Sequence, residues 1–165
     1  IFILHNKSML TKQMLDNPKI MFSEYISSEY DEYTVDLYYD KFGKLKSLVP
    51  RLRIETRAGE VSKGLTKKDY VYDFLIKKIP KLKGFRGPIT LQLFANEKLN
   101  SFKAIEINPR FGGGYPLSYA AGANFPQMLI REYLRNENLD FDDSWESNLL
   151  MLRYDAKVLI SDYRF

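Results

Sequence analysis

Gln92, Glu106 and Asn108 are the side chains here best suited to hold a hard divalent cation. Glu106 and Asn108 stand two positions apart at the end of the run from Phe102 to Ile107, and the period of two of a strand places them on one face. If the preceding run, Ile89 to Ala95, is the other arm of a hairpin turned through Asn96 to Ser101, Gln92 can face them. An amide, a carboxylate and a second amide would then converge. Mg²⁺ takes such oxygen ligands and usually completes its octahedron with substrate phosphates. Only Glu106 of the three is charged, so the phosphates of a nucleotide would supply the missing negative charge, and Mg²⁺ should bind far better with ATP than alone. Arg110, two residues further on, can reach the same phosphates and neutralise charge that develops during transfer. Gly112, Gly113 and Gly114 let the backbone turn sharply beside that site, where amides could approach an anion, although a triple glycine alone reads equally as a connector.

The elements that must position these groups follow from periodicity. Met9, Leu10, Met14 and Leu15 predict a short helix over residues 8–15, stopped at Asn17-Pro18. Lys19 to Ile26 is an apolar run read as a strand. Tyr33, Val35, Leu37 and Tyr39 alternate on one face, and the turn Lys41-Phe42-Gly43-Lys44 leads into Leu45 to Ile54, which predicts an antiparallel hairpin. The polar segment from Glu55 to Thr66 reads as a mobile loop. Val71, Phe74, Leu75 and Ile79 mark a helix closed by Pro80, and Leu117 to Leu134 resumes a helical pattern with Pro126 in a first turn. Leu149 to Tyr154 and Lys157 to Ile160 read as two closing strands. The expected class is α+β, an antiparallel sheet flanked by helices.

Composition narrows the function classes. The 165 residues fit one domain, and 45% hydrophobic residues can fill its core. With no cysteine there is neither a disulfide framework nor a thiolate metal site. No run approaches the roughly 20 apolar residues of a membrane helix, and no secretory leader is visible, so no membrane role and a cytoplasmic location are expected. The net charge of +4 is dispersed, and Tyr and Lys interleave over Asp69 to Lys83 without a nucleic-acid motif, so a small anion is expected and nucleic acid is not. The opening Ile1, Phe2, Ile3 and Leu4 reads as an edge cut from a larger structure.

The run IEINPRFGGGYPLSYAAGANFPQMLIREYL resembles the magnesium-binding strand and following helix of ATP-grasp enzymes, in particular the carbamoyl-phosphate-synthase-like branch. The resemblance implies that Gln92, Glu106 and Asn108 hold the two metals (Mg²⁺ or Mn²⁺) bridging the ATP phosphates, with Arg110 as a catalytic cation; Gln in place of Glu at the first position fits that branch. Upstream, MFSEYISSEYDEYTVDLYYD is similar to the family's linker strand. It implies adenine recognition by Glu24, Tyr25 and Ile26 and a ribose carboxylate at Glu32, with Glu29 as its competitor. Phe94 and Ile105 match the apolar walls of the adenine pocket and are equally readable as core. PRLRIETRAGEVSKG looks like the loop that approaches triphosphate and acceptor, with Arg53, Arg57 and Lys63 as candidate anion contacts.

The family's glycine-rich phosphate loop and paired lysines find no counterpart before Phe22, so residues 1–165 read as one partial ATP-grasp domain whose N-terminal part is missing. The resemblance implies a parent ligase that phosphorylates an unidentified carboxylate and passes the acyl phosphate to an amine or other nucleophile, while the isolated chain is expected to be inactive. The alternative is a non-catalytic nucleotide-binding or interaction module that retains the fold.

Overall fold

The computed structural model describes residues 2–164, which form two compact units divided between residues 30 and 31. In the first unit a single 3₁₀ turn at Lys7–Met9 precedes the short helix α1, Lys12–Leu15, whose cap Thr11 accepts from the Met14 amide at 3.2 Å. Lys19 to Ile26, expected as a strand, has no regular structure. Its apolar residues carry β propensity, but a strand exists only where a neighbour accepts its hydrogen bonds, and Asn17 instead holds the chain locally through the amides of Lys19 and Ile20.

The second unit is a six-stranded antiparallel sheet in the order β5-β4-β1-β2-β3-β6, with β1 at Asp31–Tyr39, β2 at Leu45–Arg57, β3 at Glu60–Thr66, β4 at Gly87–Asn96, β5 at Ser101–Asn108 and β6 at Leu150–Leu152. The expected hairpin of β1 and β2 forms around Asp40, whose carboxylate accepts from the amides of Phe42 and Lys44 at 2.9 and 2.8 Å while Gly43 takes the positive φ the turn requires. Burial opposes ionisation of Asp40, but these bonds and Lys46 outweigh it and hold the carboxyl below its usual range.

Tyr33, Val35, Leu37 and Tyr39 pack with Leu48, with Ile89, Leu91, Leu93 and Ala95 of β4, and with Val71, Leu75 and Ile79. The last three lie on or just beyond α2, Tyr70–Lys78, which is capped by Asp69; the same carboxylate accepts from the Tyr33 hydroxyl at 2.8 Å. The other side of the sheet is apolar at one end, where Tyr38 and Val49 meet Tyr115, Phe125, Met128, Leu139 and Trp145. β1 is thus covered on both faces, which is why it carries buried side chains in both registers.

Three expectations need correction. The segment from Glu55 to Thr66 is no loop: β2 runs to Arg57, Ala58 and Gly59 turn with positive φ, and β3 returns. Two bulges, Arg53/Glu55 and Glu55/Thr56, bend this hairpin, and charged pairs of Glu55, with Lys63 on the other arm and with Arg57 on its own, replace the apolar alternation of a typical strand. The helical pattern from Leu117 to Leu134 is broken into α3, Tyr115–Ala120, and α4, Phe125–Leu129, followed by one π-helical turn, Ile130–Leu134. Gly122, with φ 111°, makes the break, and Asn124 caps α4 by accepting from the Gln127 amide at 2.9 Å. Of the two closing strands only β6 forms, against β3. Among the described residues no helix is long and apolar enough to cross a membrane.

Candidate functional site

Sheet register places the candidate metal ligands. Gln92 on β4 is paired with Glu106 on β5, and Asn108 lies opposite Thr90. Directly opposed antiparallel residues have Cβ atoms about 5 Å apart on the same face. Asn108 Nδ2 donates to Glu106 Oε1 at 2.9 Å, so these two side chains meet. The bulge between Gln92 and Leu93 adds Ile105 as an extra residue on β5, and this restores Glu106 to a position opposite Gln92. Ile105 is 47% exposed and belongs to neither buried cluster, so its reading as plain core is excluded.

The pairing continues inward. Gln92 is opposite Thr34 of β1, and Thr34 is opposite Arg51 of β2, so one row across four strands reads Arg51, Thr34, Gln92, Glu106. A neighbouring row sets Phe94 opposite Glu32. A half-buried aromatic ring and a carboxylate thus stand side by side on adjacent strands. Arg53 forms an ion pair with Glu32, Nε to Oε1 3.0 Å, and donates to Thr34 Oγ1 at 3.2 Å and to the Gly59 carbonyl at 2.9 Å. It fastens the tip of the β2–β3 hairpin to β1.

Beyond β5, Thr90 Oγ1 donates to the Arg110 carbonyl at 2.8 Å, and the three glycines cross the sheet in close contact. A Cβ at Gly112 would lie 3.1 Å from Thr90 Cγ2, and one at Gly113 would strike the Glu60 carboxylate. These glycines are therefore more than a flexible connector: a Cβ at Gly114 would press on Arg51 and Val61, and one at Gly112 would crowd Thr90, where the loop passes over β2, β3 and β4. The Arg110 guanidinium is exposed; among the described residues it has no carboxylate partner, and it touches only the Phe111 carbonyl, at 3.1 Å.

Lys63 and Arg57 lie differently. Both pair with Glu55, at 2.6 and 3.4 Å, and Lys63 above all, then Ser62, holds the Glu55 carboxyl at about 2. Glu24, Tyr25, Ile26 and Glu29 belong to the first unit. The buried group of Asp36, Arg51 and Ser118 escaped the sequence reading. The available signal was a carboxylate between Val35 and Leu37, where a strand covered on both faces leaves it no route to water.

The donors present suit Mg²⁺. Gln92, Glu106 and Asn108 offer oxygen only, and no group of three acidic, His or Cys side chains able to hold a metal exists among the described residues. A set with one charge is a weak cation site alone and a sufficient one with phosphate oxygens.

Comparison with known proteins agrees with this fold. The biotin carboxylase domain of 2-oxoglutarate carboxylase from Hydrogenobacter thermophilus, in complex with MgADP, ADP and bicarbonate, is similar at 18% identity and TM-score 0.56, over 76% of this chain and 29% of that one. Biotin carboxylase from Campylobacter jejuni, as its β,γ-ATP complex, is similar at 16% and 0.55, over 77% and 30%. Pyruvate carboxylase from Rhizobium etli is similar at 11% and 0.57, over 79% and 15%. The likeness is one of fold, and the chain spans less than a third of the length of these proteins. No curated protein matches the chain in sequence. The family model "ATP-grasp in the biosynthetic pathway with Ter operon" matches residues 16–150, a span that runs through β1 to β5, the glycine loop and both helices behind it, and the chain therefore belongs to the ATP-grasp family.

Proposed function

We infer that this chain carries the metal-binding half of the nucleotide site of an ATP- and Mg²⁺-dependent carboxylate–amine ligase of the carbamoyl-phosphate-synthase-like kind. The observation that carries the reading is the register that sets Gln92 opposite Glu106, with Asn108 bonded to Glu106 and Arg110 following without a carboxylate partner among the described residues. The solved relatives bound to MgADP or an ATP complex support the same assignment. Gln92, Glu106 and Asn108 hold Mg²⁺, which when bound offsets phosphate charge and polarises the transferred phosphoryl group. Arg110 faces the phosphates and stabilises charge on the oxygens as transfer proceeds. Phe94 and Ile105 cover one side of the adenine, and Glu32 accepts from the ribose hydroxyls.

The substrate is a carboxylate, activated as an acyl phosphate and attacked by an amine or another nucleophile. Glu32 holds Arg53 in this structure, so a ribose on Glu32 would share that carboxylate with the cation and draw the hairpin tip toward the nucleotide. Residues 1–21 contain no glycine-rich phosphate loop. Calorimetry of the full-length protein with Mg-ATP tests the reading. Glu106→Ala and Asn108→Ala should each weaken binding by roughly 10- to 100-fold, the range for groups that build a metal site, and undiminished affinity in both variants would remove the metal assignment.

A further inference from the structure

Arg51 and Asp36 form an ion pair beside this site that the proposed chemistry does not use. Their side chains are 1% and 2% exposed and meet at two points, Nε to Oδ2 at 2.7 Å and Nη2 to Oδ1 at 3.2 Å. The Ser118 hydroxyl of α3 donates to Asp36 Oδ2 at 2.5 Å. Desolvating two charges is costly, and apolar side chains of similar volume often stabilise a fold as well or better. Stability alone is therefore a poor reason for this pair. Its position supplies another one. A Cβ at Gly114 would run into Arg51 Nη1 and stand 2.7 Å from Val61 Cγ1, and a Cβ at Gly112 would lie 3.6 Å from Arg51 Nη2. The guanidinium is the floor on which the glycine loop rests, and Thr90 pins the entrance of the same loop through the Arg110 carbonyl.

We propose that Arg51, oriented by Asp36 and Ser118, is a positioning residue of the nucleotide site: it seats Gly112–Gly114 and so aims Arg110, at the loop's entrance, toward the metal-bound phosphates. This rests on the ligase reading above. Arg51 also stands in the same strand row as Gln92 and Glu106, so the floor of the loop and the metal platform share one rigid sheet. The planar fork of Arg can meet Asp36 on one edge and support backbone on the other, whereas a lysine ammonium can do only the first.

The test uses full-length protein and two variants, Arg51→Lys and the apolar replacement Asp36→Leu/Arg51→Met/Ser118→Ala. Three quantities are measured: the thermal midpoint, the ¹⁵N amide signals of Gly112 to Gly114, and the affinity for a non-hydrolysable ATP analogue with and without Mg²⁺. Both variants should stay folded, move or broaden the glycine signals, and lose roughly tenfold of the Mg²⁺-dependent gain in affinity while metal-free affinity is kept, the effect expected of a group that orients a metal site from outside it. A purely structural pair would leave that gain intact in any variant that folds, and this result overturns the proposal. Unmoved glycine signals overturn it as well. If the apolar variant does not fold, Arg51→Lys decides alone. Absence of any Mg²⁺-dependent gain in the unsubstituted protein would defeat the ligase reading first, and the positioning role with it, before a variant is compared.

Discussion

Glu132 offers the sharpest test of how the structure is held together. It lies in the π-helical turn, is 2% exposed, and accepts from the Tyr38 hydroxyl at 2.8 Å and from the Lys41 amide at 2.6 Å. It therefore ties the end of the helical segment to β1 and to the turn that follows it. Glu132→Ala leaves both donors without an acceptor. A hydrogen bond to a charged group contributes about 1.5–3 kcal/mol, and water can reach the half-buried Lys41 amide, so the expected loss is about 3–4 kcal/mol. Tyr38→Phe removes one bond and leaves Glu132 held by Lys41, which predicts about 1.5–2 kcal/mol. Trp145 is the sole tryptophan, 3% exposed and edge-on to Tyr72, so its fluorescence follows unfolding of this side of the sheet. With a slope of about 2 kcal/mol/M in urea, Glu132→Ala should lower the midpoint by about 1.5–2 M and Tyr38→Phe by roughly half as much. A shift under about 0.5 M for Glu132→Ala, or equal shifts for the two variants, would refute this account of the contact.

The remaining expectations are shorter. Gly114→Ala should cost about 2–3 kcal/mol because its methyl meets Arg51 and Val61, whereas Gly113→Ala meets only the mobile end of Glu60 and should cost less than about 1 kcal/mol; thermal denaturation of the pair decides it. Leu48→Ala, at a fully buried position, should cost about 2–5 kcal/mol by the same measurement. Glu55 is held near 2, below its ordinary 4.5, so its contribution to the β2–β3 hairpin is complete above 4.5 and is lost as pH falls from there toward 2. A carboxyl titration by NMR should place its midpoint near the lower value, and a midpoint at the ordinary one would show that the Lys63 and Ser62 contacts do not persist in solution.

The site was legible in the sequence to the extent that strand register follows from local pattern. Tyr33 to Tyr39 and the arms around Asn96 to Ser101 fold as the alternation indicates, and Glu106 and Asn108 share a face because a strand has a period of two. Where the pattern failed, charge was the cause. Glu55, Arg57 and Lys63 read as loop because none is apolar, yet they satisfy one another across two strands. Lys19 to Ile26 failed in the opposite sense, since an apolar run without a neighbouring strand has nowhere to place its backbone hydrogen bonds.

The sequence by itself determined the β1–β2 and β4–β5 hairpins, the α2 helix and the oxygen-rich donor set, because each depends on residues close along the chain. The tertiary structure alone decided which strands are neighbours. That order placed Thr34 and Arg51 in one row with Gln92 and Glu106, buried Asp36 against Arg51 and Ser118, and left Arg110 without a carboxylate partner among the described residues. Asp36 and Ser118 are 82 positions apart, and no local pattern fixes a contact that only closure of the sheet and its covering helix brings within hydrogen-bonding range.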